Sequence, residues 1–203
     1  MSKEYYSLGL MSGTSLDGID ASIILSDGEN KLEIIDNCYE KYNHKFKLEL
    51  GKFINCTTSI DFIKKNKSDY LRLEKKLTLL HADISQKILE KNKDINIDFI
   101  GFHGQTILHS PCNKFSIQMG NPNLLSEIVK KKVCFNFREQ DIQNGGEGAP
   151  LSPIYHYLIF KKLKLNSPII FLNLGGIANI TFIKNEEIYS TDIGPGNCLV
   201  DQW

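Results

Sequence analysis

Apolar and polar positions along this chain change their period several times, and each change marks an element. Residues 5–10 ("YYSLGL") make an apolar run of strand length, and residues 19–25 ("IDASIIL") put Ile19, Ala21, Ile23 and Leu25 on one face at period two. Asp17-Gly18 between them is a hairpin signal, "SDGEN" is a second turn, and residues 31–42 predict a third strand, so the chain opens as a three-stranded antiparallel meander. From about Ser68 to Leu89 the period lengthens, and Leu73, Leu77, Leu80, Ile84 and Ile88 form one stripe of an amphipathic helix. Residues 96–104 then predict a short buried strand, residues 105–114 a loop and residues 115–119 another strand. Asn121-Pro122 starts a helix, because Asn accepts a backbone N–H as N-cap and Pro at the first helical position loses no needed donor. The lysine run at 130–132 ends that helix, and residues 133–137 give the next strand.

A glycine-rich stretch, "NGGEGAPLSP" (144–153), separates this part from a helix starting at Ser152-Pro153 and three strands at 168–174, 178–183 and 187–193. The order predicts two α/β lobes facing a cleft: a first lobe over residues 1–135 and a partial second lobe over 136–203. No repeat of 20 to 50 residues is visible, which argues against a solenoid.

Composition narrows the partners. Lys and Arg number 24, as do Asp and Glu, so no net field draws the chain to nucleic acid or an anionic membrane, and a small-molecule ligand is expected. Cys38, Cys56, Cys112, Cys134 and Cys198 are an odd, widely spaced set that fits neither a zinc knuckle nor a disulfide framework. Reduced thiols, no apolar signal segment at the start and no membrane-length apolar run together give a cytoplasmic expectation. Lysine-rich stretches such as "FIKKNKSDY" read as solvated faces.

Two corners could carry chemistry. Ser12-Gly13-Thr14-Ser15 follows the first strand, where glycine admits a ligand to the backbone and short hydroxyls donate to anionic oxygen; a plain hairpin is the alternative. No Walker A loop occurs. Asp17 and Asp20 either support a hydrated cation or cap the turn. "TDIGPGN" (191–197) is a second corner, with Asp192 at a strand end before Gly194 and Gly196. One such corner per lobe is a way to grip a nucleoside triphosphate, and Asp192 is then a candidate general base or an ordinary turn Asp. His103 and Gln105, just past a buried strand, suit a sugar hydroxyl or amide, with a backbone-satisfied core histidine as the alternative. Arg138 offers a fork for carboxylate or phosphate, oriented by Asp141 or simply paired with it. His109, Cys112 and Cys134 match no zinc spacing.

Six segments in order, "GLMSGTSLDGID", "GFHGQTILHSP", "QMGNPNLLSE", "FREQDIQNGGEGAPLSPIYH", "NLGGIANIT" and "DIGPGNCLVDQW", resemble the anhydro-N-acetylmuramic acid kinase family, in the superfamily of acetate and sugar kinases, Hsp70 and actin. The resemblance implies an actin-like, ribonuclease H-like two-lobed ATPase fold, with ATP and Mg²⁺ as cofactors. It also implies hydrolytic opening of 1,6-anhydro-N-acetylmuramic acid to the 6-phosphate in cell-wall recycling. By the family pattern Gly13, Thr14, Ser15, Leu16, Asp17, Gly18, Ile19 and Asp20 form the first phosphate loop, and Gly194 and Gly196 belong to the second. Asp192 activates water, while His103, Gln105, Asn121 and Arg138 line the sugar site, Arg138 facing the lactyl carboxylate. Superfamily relatives often carry an acid where this chain has Met11, which leaves Asp17, Asp20 and Asp192 as metal candidates. Family members also continue well beyond this chain's last residue, so the resemblance implies a partial second lobe, little activity alone, and a homodimer or a complementing C-terminal chain as partner.

Overall fold

Residues 3–201 are described by a computed structural model. Strands β1 (Tyr5–Met11), β2 (Gly18–Ser26) and β3 (Leu32–Lys41) form the antiparallel meander, with Leu8 opposite Ile23 and Leu10 opposite Ala21. Alternate residues share a face, so this register gathers Leu8, Leu10, Ile19, Ala21 and Ile23 into one core, none more than 3% exposed.

Helices α1 (His44–Cys56), α2 (Ile60–Lys65) and α3 (Lys67–Lys91) follow. The first was not foreseen, although Asn43 caps it by accepting from the Phe46 N–H at 2.9 Å, and Phe46, Leu50 and Phe53 recur at helical spacing on its buried face. The α3 stripe holds Leu73, Leu77, Ile84 and Ile88 in the core with Leu80 at its edge, and it also carries Thr78, His81 and Ser85 inward. These polar groups lean on their own helix: Thr78 Oγ1 donates to the Glu74 carbonyl at 2.7 Å, Ser85 Oγ to the His81 carbonyl at 2.6 Å, and His81 Nδ1 lies 2.9 Å from the Leu77 carbonyl.

Strand β4 (Phe99–Phe102) enters the sheet parallel to β1. Residues 105–114, expected as a loop, instead form strand β5 (Gln105–Ser110) and a short 3-10 turn, and β5 pairs antiparallel with β6 (Phe115–Met119). Gln105 and Ile107 turn inward, and the ladder satisfies backbone groups that a loop would leave to water. Helix α4 (Pro122–Val129) stops one residue earlier than the lysine run suggests, with Lys130 in the left-handed region at φ 54° as its cap. Strand β7 (Lys132–Phe135) pairs parallel with β4 and is shorter than expected because Asn136, at φ 60°, turns the chain out of the sheet. The five-stranded mixed sheet has the order β3-β2-β1-β4-β7, and α1, α3 and α4 contribute to one contiguous core with it, so the fold is α/β.

After a short helix α5 (Glu139–Gln143), helix α6 (Pro153–Lys162) packs on a separate antiparallel sheet of β8 (Ile169–Leu174), β9 (Ile177–Lys184) and β10 (Glu187–Pro195), followed by α7 (Cys198–Asp201). The His156 ring of α6 stacks on Phe171 with centroids 4.9 Å apart and its Nδ1 lies 2.8 Å from Thr181 Oγ1, sealing one sheet face. On the other face Ile170, Leu172, Leu174 and Tyr189 are each more than half exposed. Lys161 and Lys162 reach back to Asn30 Oδ1 at 2.6 Å and the Leu32 carbonyl at 2.7 Å, tying α6 to the β2–β3 turn.

Candidate active site

The first corner is anchored from below and open above. Ser12 is buried and donates to Gln105 Oε1 at 2.6 Å, so the Tyr42 hydroxyl, 2.7 Å away, donates to Ser12. Burial pushes the Tyr42 phenol well above its usual range and keeps it a donor. Leu16, at φ 55°, closes a turn through its N–H to the Gly13 carbonyl at 3.2 Å and drops its side chain into the core, with Ile19 beside it in the same cluster. Gly18 is required by close approach: a Cβ there would run into the Glu40 carbonyl oxygen and the Tyr39 ring. Gly13, Thr14 and Ser15 are therefore the part that faces outward, while Leu16, Gly18 and Ile19 serve packing.

Asp17 and Asp20 differ in surroundings. Asp17 pairs with Lys47 Nζ at 2.6 Å, and hydrogen bonds from Lys47 and Ser15 hold its carboxyl below the usual range. Asp20 lies directly across from Met11 in the β1–β2 ladder, and partial burial raises its carboxyl. Among the described residues no group of three His, Cys, Asp or Glu could hold a metal by itself.

The second corner touches the first. Gly196 N–H donates to the Gly176 carbonyl at 2.9 Å and Asn197 N–H to the Gly175 carbonyl at 2.7 Å, so the β8–β9 turn and the end of β10 form one unit. A Cβ on Gly176 would sit 2.7 Å from Thr14 Oγ1, and one on Gly196 would meet the Gly175 carbonyl oxygen. Gly194, at φ 139°, has open space around it and sits at an irregularity in β10 just after Asp192. Asp192 itself is exposed and belongs to none of the ion pairs among the described residues.

Arg138 lies where the sheets meet. Its Nε donates to His103 Nε2 at 2.9 Å and its Nη1 to the Gly148 carbonyl at 2.6 Å. With Nε2 accepting, the His103 proton rests on Nδ1, which donates to the Gly104 carbonyl at 2.8 Å. Burial, then the neighbouring guanidinium, lowers the His103 pKa, so it is a neutral brace. Burial also lowers the Arg138 pKa, while the field of Asp192 opposes that shift. Asp141 does not orient Arg138: its carboxylate accepts from the Gly148 N–H at 2.7 Å and packs against Gly146, where a Cβ could not fit. Spacing suggested a direct Arg–Asp relation because it could not show that the glycine loop returns to cap Asp141. Asn121 caps α4 by accepting from the Leu124 N–H at 2.9 Å, and Gln105 is almost wholly buried under Ser12. A concavity of about 390 Å³ opens beside His103, walled by Gln118, Asn136 and Glu139 among others, and neither Thr14 nor Asp192 lines it.

Sequence reasoning missed four contributors. Gly175 and Gly176 carry the contact between the corners, and "NLGG" was the available signal. His109 and Glu147 stand in the same charged neighbourhood, since the fields of Arg138, Asp192 and Glu147 all act on the His109 ring. Spacing tests His109 only as a metal ligand, and Glu147 lies among glycines with no local signal of its own.

The family model described as anhydro-N-acetylmuramic acid kinase matches residues 4–203. A Pelagibacter ubique protein of that name is 50% identical over 206 residues, covering 100% of this chain and 55% of its own length. Its namesake from Brucella canis is 38% identical over 201 residues, covering 97% of this chain and 54% of its own. A third, from Rhodopseudomonas palustris, is 34% identical over 199 residues. This chain spans about half the length of the curated relatives it matches. Among the described residues no helix is long and apolar enough to cross a membrane, and all five cysteines are free. With residues 4–203 of it matched by the family model, the chain belongs to the anhydro-N-acetylmuramic acid kinase family.

Proposed function

We propose that this chain carries the phosphate corners and part of the sugar site of a cytoplasmic ATP-dependent kinase acting in cell-wall recycling. That enzyme opens 1,6-anhydro-N-acetylmuramic acid with water and phosphorylates the freed O6. The five-stranded sheet is read as its first lobe and the β8–β10 sheet as part of its second, in an actin-like, ribonuclease H-like arrangement. The single observation that carries this reading is the approach of Gly176 to Thr14, which makes one rim from corners far apart in sequence, with Asp192 leading into it.

The residues present fit a nucleotide's phosphates: Gly194 leaves open space, a Cβ on Gly13 would touch only the Ser15 hydroxyl, and the Thr14 and Ser15 hydroxyls are donors. Asp20, across from Met11 and in no ion pair among the described residues, is the best-placed carboxylate for a hydrated Mg²⁺, whereas Asp17 is held by Lys47. When bound, Mg-ATP supplies the phosphoryl group and the counter-charge. Asp192 takes a proton from the water that adds to the anomeric carbon, the bond from that carbon to O6 breaks, and O6 becomes the phosphoryl acceptor. Arg138, braced by His103, takes the lactyl carboxylate. His103 and Gln105 act from behind the sugar, one on Arg138 and one on Ser12.

A second reading, an inactive remnant or a half that needs a complementing C-terminal chain, is favoured by the exposed apolar face of the β8–β10 sheet and the half-length match. A coupled ADP-release assay on the purified 203-residue chain with anhydro-sugar and Mg-ATP separates the two. Turnover at least about a hundredfold below a full-length relative is expected under this second reading, since the chain spans about half the length of those relatives. Turnover equal to that relative rules out the need for a complement.

A further inference from the structure

We infer that Tyr42 is a positioning residue for the first phosphate corner, fixing both of its ends so that the Thr14 and Ser15 donors are arranged before a nucleotide's phosphates arrive. The ligand rests on the proposed kinase reading, whereas the geometry stands on its own.

Tyr42 is the first residue after β3, and the ladder puts its predecessor, Lys41, across from Gly18. The pairing runs on by one bond, in which the Tyr42 N–H donates to the Asp17 carbonyl at 2.9 Å. The side chain reaches the other end of the corner, where its hydroxyl lies 2.7 Å from Ser12 Oγ. Ser12 donates in turn to Gln105 Oε1 at 2.6 Å. Gly13, Thr14, Ser15 and Leu16 are thus the span between two bonds to one residue, itself only 4% exposed. Within the span the Leu16 N–H reaches the Gly13 carbonyl at 3.2 Å, and the Leu16 side chain joins the core. A short loop held at both ends and in the middle loses its freedom on folding rather than on binding.

Packing does not account for the hydroxyl. The Tyr42 ring lies edge-on to Phe46, with centroids 5.0 Å apart, in a cluster of apolar side chains that a phenylalanine would fill equally. Burying a phenol in such surroundings is unfavourable unless its O–H is bonded, and Ser12, which is buried as well, supplies the bond. What the pair adds to an apolar core is a fixed link to the corner. Gln105 opens β5, next but one after His103, so the same chain of bonds ties the corner to the segment whose histidine braces Arg138.

The test is an amide NMR titration of the 203-residue chain with Mg-ATP, in wild type, Tyr42→Phe and Ile97→Val. Tyr42→Phe keeps the ring and the bond to Asp17 and removes only the hydroxyl. Ile97→Val trims a buried side chain near the opposite end of β1, where the Asp98 N–H donates to the Tyr6 carbonyl, and it supplies a comparable loss of stability away from the corner. Both variants should lower the thermal midpoint by about 2–4 °C. Without ligand, the Gly13, Thr14 and Ser15 amide resonances should shift in Tyr42→Phe and stay in place in Ile97→Val. Affinity for Mg-ATP should fall by about five- to tenfold in Tyr42→Phe alone. Unmoved corner resonances, or equal affinity in wild type and Tyr42→Phe, overturn the inference while leaving the kinase reading intact. An affinity loss of the same size in Ile97→Val overturns it too, because the loss would then follow from stability. Absence of Mg-ATP binding by wild type counts against the kinase reading, and the corner resonances then decide the positioning role by themselves.

Discussion

Arg138 owes its position to an imidazole rather than to a carboxylate. Three protein atoms fix the pair: the His103 ring accepts from Arg138, the Gly148 carbonyl accepts a second donor, and Gly104 holds the ring's own N–H. His103→Ala should leave the guanidinium in place of charge but not of direction. A five- to tenfold loss of anhydro-sugar affinity, with a stability loss of about 1–3 kcal/mol from the orphaned donor, is the expected outcome, measured by calorimetry and thermal unfolding. A second histidine gives a pH signature. His81 is wholly buried against Phe102, and burial lowers its pKa to about 4, below the ordinary value of 6.5. A base whose folded pKa is depressed contributes its full stability above the unfolded pKa and loses it as pH falls through the folded one. Stability should therefore be flat above about pH 6.5 and fall by about 3 kcal/mol towards pH 4, as read by urea unfolding. In His81→Leu that slope should be much reduced. For His103 the backbone-satisfied alternative matches the Gly104 contact, but neither its hold on Arg138 nor the burial of His81 was legible in sequence, where a histidine does not show a neighbour distant along the chain.

Among the elements, those with a strong period were readable and those set by tertiary pairing were not. The Ile19, Ala21, Ile23 and Leu25 alternation and the Leu73 to Ile88 stripe reproduce β2 and α3 closely because one face of each is buried throughout. Strand β5 escaped because Gln105 is a buried polar residue whose partner, Ser12, lies 93 positions away. Helix α1 escaped because Gly51, a weak helix former, sits within it, where a Cβ would press on the Leu16 side chain. The corners were legible as glycine-rich turns, but their contact was not, since nothing local joins Thr14 to Gly176. Two alanine substitutions exploit the difference. Gly196→Ala drives a methyl group into backbone and should cost stability of at least about 2 kcal/mol by chemical unfolding. Gly176→Ala meets only the Thr14 hydroxyl, which can rotate, so it should cost under about 1 kcal/mol while weakening ATP binding several-fold.

At the scale of the whole molecule the two sheets are buried unequally. The five-stranded sheet has a contiguous core, whereas the β8–β10 sheet is sealed by α6 on one face and shows Ile170, Leu172, Leu174 and Tyr189 on the other. A sheet ordinarily buries both faces when helices flank it, and the relatives have about as much chain again with which to do so. Mixing this chain with the portion of the Pelagibacter ubique relative that lies beyond the match should give a complex on size-exclusion chromatography, and Leu172→Asp should abolish it. The same mixture allows the most direct test of the central claim, that two touching glycine corners present Asp192 to the reacting water. In a coupled ADP-release assay, the account predicts ADP formation that requires the anhydro-sugar and falls by about a thousandfold in Asp192→Asn. ADP formation that survives that substitution within tenfold of wild type, or that never depends on the sugar, would contradict it.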